Sequence, residues 1–390
     1  MSGCGGGSTS AVGTTIYDVP LPSEIGTVQL TALPEIKTVS TFAGTAPTAT
    51  NGITPGLTDG DRILAARFNQ PVGIATDGTN FYVADYKNNM IRKIDMSTNK
   101  VTNLAGSGAA GNVDGTGTDA KFNAPTSITV SGDFLYITDT GNNMIRQVHK
   151  DTGVVKNFAG STTGLAGSVD SKTVPTDARF NQPTGITTDG KNLYVADNGN
   201  HTIRRIVIPN GTTTLAAVTT LAGSPGAAGS VDGIQAAARF NQPARITTDG
   251  KYLYVTDLIN RTIRKVDIAR GAVTTIAGIS GPLDAAGNIA DSTDGTGATA
   301  RFYQPNGITT DGKNLYVTDS YNNSIRRIVL TNETIFSGAV TTLIHGTSEK
   351  PGSNDGIDGF AKFNTPIGIT TDGSALYVAD SRNHTIRKIE

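Results

Sequence analysis

The side chains in this 390-residue sequence with the means to do chemistry are few: four histidines, one cysteine, and an aspartate and an arginine that return together six times. Zinc binding or proton transfer would call for histidines that converge, and covalent catalysis for an activated serine or cysteine. His201 and His384 share the phrase Asn-His-Thr-Ile, whereas His149 and His345 stand in unrelated contexts. No Gly-x-Ser-x-Gly elbow occurs, and no glycine-rich phosphate loop follows a strand and opens a helix. Cys4 lies in MSGCGGGSTS, a glycine- and serine-rich stretch unlike a folded element. The aspartate–arginine pairs are Asp85 with Arg92, Asp139 with Arg146, Asp197 with Arg204, Asp257 with Arg264, Asp319 with Arg326 and Asp380 with Arg387, seven residues apart each time. A device present in every copy reads as packing, because an active site is asymmetric. No catalytic residue is therefore assigned.

What positions these residues is a repeat. A phrase close to ARFNQPTGITTDGKNLYVADNGNHTIRRI occurs six times, its phenylalanine at Phe68, Phe122, Phe180, Phe240, Phe302 and Phe363, with a mean spacing of 59. That is longer than the commonest propeller repeats, and the excess lies in one variable loop per copy. Within a copy, PTGITT is a short β-branched run, Asp189-Gly190 is a tight-hairpin signal, NLYVAD is apolar on both faces, and TIRRI and VTTLAG follow after turns. Four antiparallel strands with two apolar faces cannot bury both alone. Six such sheets stacked radially do, so the expected fold is all-β, a six-bladed β-propeller of four-stranded blades.

The last strand identifies the closure. VTTLAG has copies at Val101, Val155, Val218, Val273 and Val340, and the sixth, VSTFAG, is at the opposite terminus, Val39 to Gly44. Strand 39–44 is expected to complete the last blade beside TIRKI and leave few edges unpaired. The propeller then occupies residues 39–390, and residues 1–38 form a flexible tether.

The phrases YVADNGNHTIRRI and VDGIQAAARFNQP, with NHTI at Asn200–Ile203 and Asn383–Ile386, resemble the NHL-repeat family over Val39 to Glu390. The resemblance implies the propeller fold. It leaves function open among peptide-amidating lyases, RNA-binding modules, sensor domains and bacterial lipoproteins. The lyase branch implies histidines gathered around a metal in the central channel. Here His201 and His384 stand three blades apart, and the equivalent residues are Asn89, Asn143, Arg261 and Asn323, the pattern of a polar turn position. An axial calcium ring of Asn69, Asn123, Asn181, Asn241 and Asn364 is the weaker metal candidate, since it lacks carboxylates.

Ser2-Gly3-Cys4 followed by glycines resembles a bacterial lipobox, which implies a lipidated Cys4, a cell-envelope location and a signal peptide absent from the chain as given. The net charge of −1, with Lys and Arg interleaved with Asp, lacks the basic face of a nucleic-acid binder. No apolar run approaches the roughly 18 residues of a membrane helix.

Where one copy departs from the others is where specificity is expected. Arg245 replaces a glycine or serine found at Gly73, Ser127, Gly185, Gly307 and Gly368, and is expected in the channel or at its mouth. Leu258, Ile259 and Arg261 alter the second turn of blade four. Tyr303 and Asn306 alter the entry to blade five. These six residues are the candidate ligand surface of a module that binds a protein or peptide, alone or within a surface assembly. A metal-dependent lyase or lactone hydrolase acting in the channel is the alternative. No resident cofactor is expected.

Overall fold

The computed structural model describes residues 38–45, 55–209, 217–281, 292–330, 338–346 and 350–390. The tether, with Cys4, lies outside them. Each repeat folds into an antiparallel blade. In blade one the strands run from the axis outward as Pro71–Thr76, Asn80–Asp85, Met90–Asp95 and Lys100–Ala105. The six innermost strands surround the axis, and their neighbours pack blade against blade.

Blade six is closed by the opposite end of the chain, as the strand count requires. Thr38–Ala43 pairs antiparallel with Thr385–Ile389, Val39 opposite Ile389 and Ala43 opposite Ile386. The main chains of Thr38 and Glu390 exchange two hydrogen bonds, 2.9 and 3.0 Å. Phe42 packs edge-on against Tyr377 of blade six and Phe81 of blade one, with ring centroids 4.8 and 5.1 Å away.

The blades differ from expectation at their outer edge. In five of six, two residues of the variable loop add a short fifth strand, such as Gly115–Thr116 on Val154–Ala159; blade three has a single bridge there, Ser171 to Val218. The aspartate of the VDG phrase holds the loop there: Asp114, for example, takes the Nη2 of the blade's buried Arg146 on one oxygen and the Asn157 N–H of the outermost strand on the other.

The core is six apolar clusters, one at each blade junction. The cluster joining blades one and two, for example, gathers Tyr82, Ala84, Ile91 and Ala105 with Phe122, Ile128 and Leu135. Phe122 sits against Gly106, whose φ of 107° and close approach to the Asn89 carbonyl leave no room for a Cβ. That is why the outermost strand ends in glycine in five of the six blades; blade five has His345 there.

Candidate functional site

The repeated aspartate and arginine form a buried triad with the VDG aspartate. Arg204 Nη1 donates to Asp197 Oδ2 at 2.8 Å and to the Arg179 carbonyl at 2.8 Å, while Nη2 donates to Asp170 Oδ1 at 2.6 Å. Its guanidinium lies 5.0 Å over the Phe180 ring. The same arrangement holds in five blades and is loosened in blade five, where Arg326 lies 3.6 Å from Asp319. The inner carboxylates are fully buried, whereas the outer ones are 42–52% exposed. Burial pushes the inner carboxyls of Asp85, Asp139, Asp197, Asp257 and Asp380 up to about 6 against the pull of their arginines. These pairs lock blades; they do not face a ligand.

The histidines serve the same scaffold. His201 and His384 hold left-handed backbone after a single 3-10 turn, φ 60° and 55°, as do Asn89, Asn143 and Asn323. Each side chain accepts an N–H from the next blade. His384 Nδ1 takes Gln70 N–H at 2.9 Å, His201 Nδ1 takes Gln242 N–H at 3.1 Å, and Asn89 Oδ1 takes Ala124 N–H at 2.8 Å. Burial holds both histidines below their ordinary value. His149 caps its own turn and His345 pairs with Asp358 at 2.9 Å. Among the described residues no three His, Cys, Asp or Glu side chains converge on a common point.

Arg261 is the exception, and it explains blade five. A guanidinium cannot accept a hydrogen bond, so the N–H of Gln304 turns instead to Asp319 Oδ1 at 2.8 Å. Gln304 then leaves the left-handed conformation that Gln70, Ala124, Gln182, Gln242 and Thr365 adopt. Asp319 also takes the Tyr303 N–H and the Ser292 hydroxyl, and its contact with Arg326 lengthens to 3.6 Å. Tyr303 is redirected by the same rearrangement, and its ring meets Tyr321 at 4.9 Å, tilted by 53°.

Tyr303 and Tyr321 open a cleft of about 250 Å³ between blades five and six, completed by Ser320, Asn323, Pro351, Asn364, Thr365 and Arg382. The residues equivalent to Tyr321 are Lys87, Gly141, Gly199, Ile259 and Arg382. A position so variable offers no consensus to depart from, so Tyr321 and Arg382 are not singled out by the repeat.

The other candidates are scattered. Ile259 is half-exposed and Leu258 half-buried on the second-turn face of blade four. Asn306 is half-buried, with a buried Oδ1 that has no partner. Arg245 is 8% exposed and lines the channel, apart from the second-turn face that carries Leu258 and Ile259. The asparagine ring is not on the channel wall, which runs from Gly73, Ser127 and Arg245 toward Thr76, Thr188 and Thr371. Asn364 lines the tyrosine cleft instead.

With this geometry in place, comparison with known proteins supplies the family. The profile described as NHL repeat matches residues 180–206 and 302–328, and one described as LVIVD repeat matches 125–145. NHL repeat-containing protein 2 of Homo sapiens is 31% identical over 308 residues, 70% of this chain and 41% of that protein. The chain belongs to the NHL-repeat family. Its similarity extends to the chloroplastic protein SUPPRESSOR OF QUENCHING 1 of Arabidopsis thaliana, 30% identical over 70% of this chain and 26% of that one. This NHL-repeat chain thus spans well under half the length of either relative. An auxiliary nutrient binding protein from Bacteroides thetaiotaomicron shares the fold, with a TM-score of 0.64, 19% identity, and coverage of 91% of this chain and 76% of that one. A second protein from that organism, of unknown function, has a TM-score of 0.63 at 20% identity, with 90% and 75% covered.

Proposed function

We propose that this NHL propeller is a binding or scaffold module that recognises a protein or peptide through the cleft between blades five and six, and that it works outside the cytoplasm, anchored by a lipid on Cys4. The observation that carries the recognition reading is the Tyr303–Tyr321 pair. Two rings stand together where the equivalent positions of most blades hold asparagine and glycine or lysine, with Tyr321 49% exposed and the Arg382 guanidinium side chain on the same cleft. Aromatic faces beside an arginine are the usual anchors of a peptide contact. A tyrosine hydroxyl and a guanidinium would fix the peptide's polar groups while the rings take an apolar side chain.

The test is selection of peptides from a displayed library on the immobilised chain. Tyr321→Ala and Arg382→Ala should each weaken the selected peptides about thirtyfold, the hot-spot scale of ~2 kcal/mol, whereas Tyr136→Phe in blade two should not. Equal capture by all three variants would remove the cleft from recognition. The anchor is tested separately: labelled palmitate should be incorporated when the chain is expressed with its natural upstream sequence, and not by Cys4→Ser.

A further inference from the structure

Seven arginines are buried among the described residues, and six of them sit between two carboxylates. Arg245, the seventh, has no carboxylate partner in that set. Its Nη1 donates to the Thr184 carbonyl at 2.8 Å and its Nη2 to the Thr126 carbonyl at 3.1 Å, while its Nε is buried without a partner. A guanidinium carries five N–H donors, and the two carbonyls leave the rest unassigned. Burial lowers its pKa to about 10, which leaves it charged at neutral pH. An uncompensated buried cation is costly unless something supplies the counter-charge.

The place it occupies is a receptacle. By reaching the carbonyls of blades two and three, Arg245 spans the second-turn end of the channel, and a cavity of about 300 Å³ runs from its level toward the opposite face. The innermost strands are edge strands there, and alternate residues turn main-chain N–H and C=O groups to the axis. The Ile186 N–H, which reaches Ser127 Oγ of the neighbouring blade at 3.4 Å, marks that level. At the open end stand the hairpin aspartates Asp77, Asp189 and Asp372. Burial alone would raise these carboxyls, but hydrogen bonds from the hairpin hold all three down, Asp77 to about 2. Lys150 stands on the same rim, so the channel is positive at the Arg245 end and, with three carboxylates against one ammonium, net negative at its mouth.

We propose that the axial channel binds a small zwitterionic carboxylic acid, its carboxylate on the free N–H groups of Arg245 and its ammonium toward the aspartates of the hairpin face. A dicarboxylate or phosphate would place a second negative charge against Asp77, Asp189 and Asp372. This site lies on the axis, apart from the tyrosine cleft, and does not depend on it.

Calorimetric titration of the full chain with three acids of one chain length tests the assignment: 6-aminohexanoate, hexanoate and adipate, with inorganic phosphate as a fourth probe. Affinity should fall in the order 6-aminohexanoate, hexanoate, adipate, with phosphate no better than adipate. Arg245→Gly restores the residue of four other blades and so should keep the fold, to be checked by circular dichroism. It should weaken 6-aminohexanoate at least tenfold, the loss of one charge-assisted bond. Equal affinity for wild type and Arg245→Gly, absence of 6-aminohexanoate binding, or adipate or phosphate binding as tightly as 6-aminohexanoate would each overturn the proposal.

Discussion

Phe42→Ala should open the ring at its seam. Phe42 is 4% exposed, and its ring meets aromatic rings of two blades, Tyr377 and Phe81, which also touch each other. Arg62 of blade one clamps it, with Nη1 on the Phe42 carbonyl at 2.6 Å and the guanidinium carbon 4.6 Å from the ring. Truncating a buried phenylalanine costs ~3–5 kcal/mol. Because the strand it belongs to is not continuous in the chain with the rest of its blade, that loss should fall on local opening of the seam. Amide exchange across Thr38–Ala43 and Thr385–Ile389 should accelerate by about 10² to 5 × 10³. Phe158→Ala is the control. Phe158 holds the equivalent position in blade two, half-buried against one ring, Tyr136 at 4.9 Å, in a blade that is continuous in the chain. Less than tenfold acceleration in Phe42→Ala, or an equal effect of Phe158→Ala on its own blade, would refute the seam argument.

The triad predicts an asymmetry: Arg204→Ala strands the buried Asp197 carboxylate and should cost ~3–5 kcal/mol, while Asp170→Ala, at the half-exposed corner, should cost ~1 kcal/mol, both read from denaturant melts. Stability should rise as pH falls from 7 to about 5. Five inner carboxyls titrate near 6 in the folded state against an ordinary 3.8, so their contribution is complete below 3.8 and is lost as pH climbs through 6. His201 and His384 oppose this, contributing above 6.5 and failing as pH falls through their lowered values, whereas Asp77, held near 2, contributes above 3.8 and fails only as pH drops toward 2. His201→Asn with His384→Asn should therefore steepen the rise, and a monotonic loss of stability from pH 7 downward would contradict the triad reading. His384→Asn should stay within about 0.5 kcal/mol of wild type in the same melts, whereas His384→Ala leaves the Gln70 N–H unpaired and should cost ~1–2 kcal/mol. Arg261→Asn restores the missing acceptor, so the Gln304 N–H should return to it; a large chemical-shift change at Gln304 and Tyr303, with weaker capture of selected peptides, is the expected result.

Much of this architecture was legible in the sequence because each blade is built from local signals. Apolar alternation marks the strands, Asp-Gly marks the hairpins, and the outermost-strand motif, counted once too often at one terminus and once too seldom at the other, reveals the closure at Thr38–Ala43. The seven-residue spacing of Asp197 and Arg204 already placed them together across a turn. Their third partner, Asp170, is 34 residues from Arg204 in the chain. Only the course of the variable loop brings it there, and no local rule sets that course. Departures from the repeat pointed to Arg245 and Tyr303, but not to their surroundings. Whether Arg245 faces solvent or the axis depends on which carbonyls lie opposite, and those belong to blades two and three. Tyr303 meets Tyr321 because Arg261, one blade earlier, cannot accept a hydrogen bond. The sequence by itself determined the blade, the ring and its seam, since those follow from periodicity and the count of strands. The tertiary structure decided which side chains share a cleft and which charge is left without a partner, since those depend on contacts between blades some 60 residues apart.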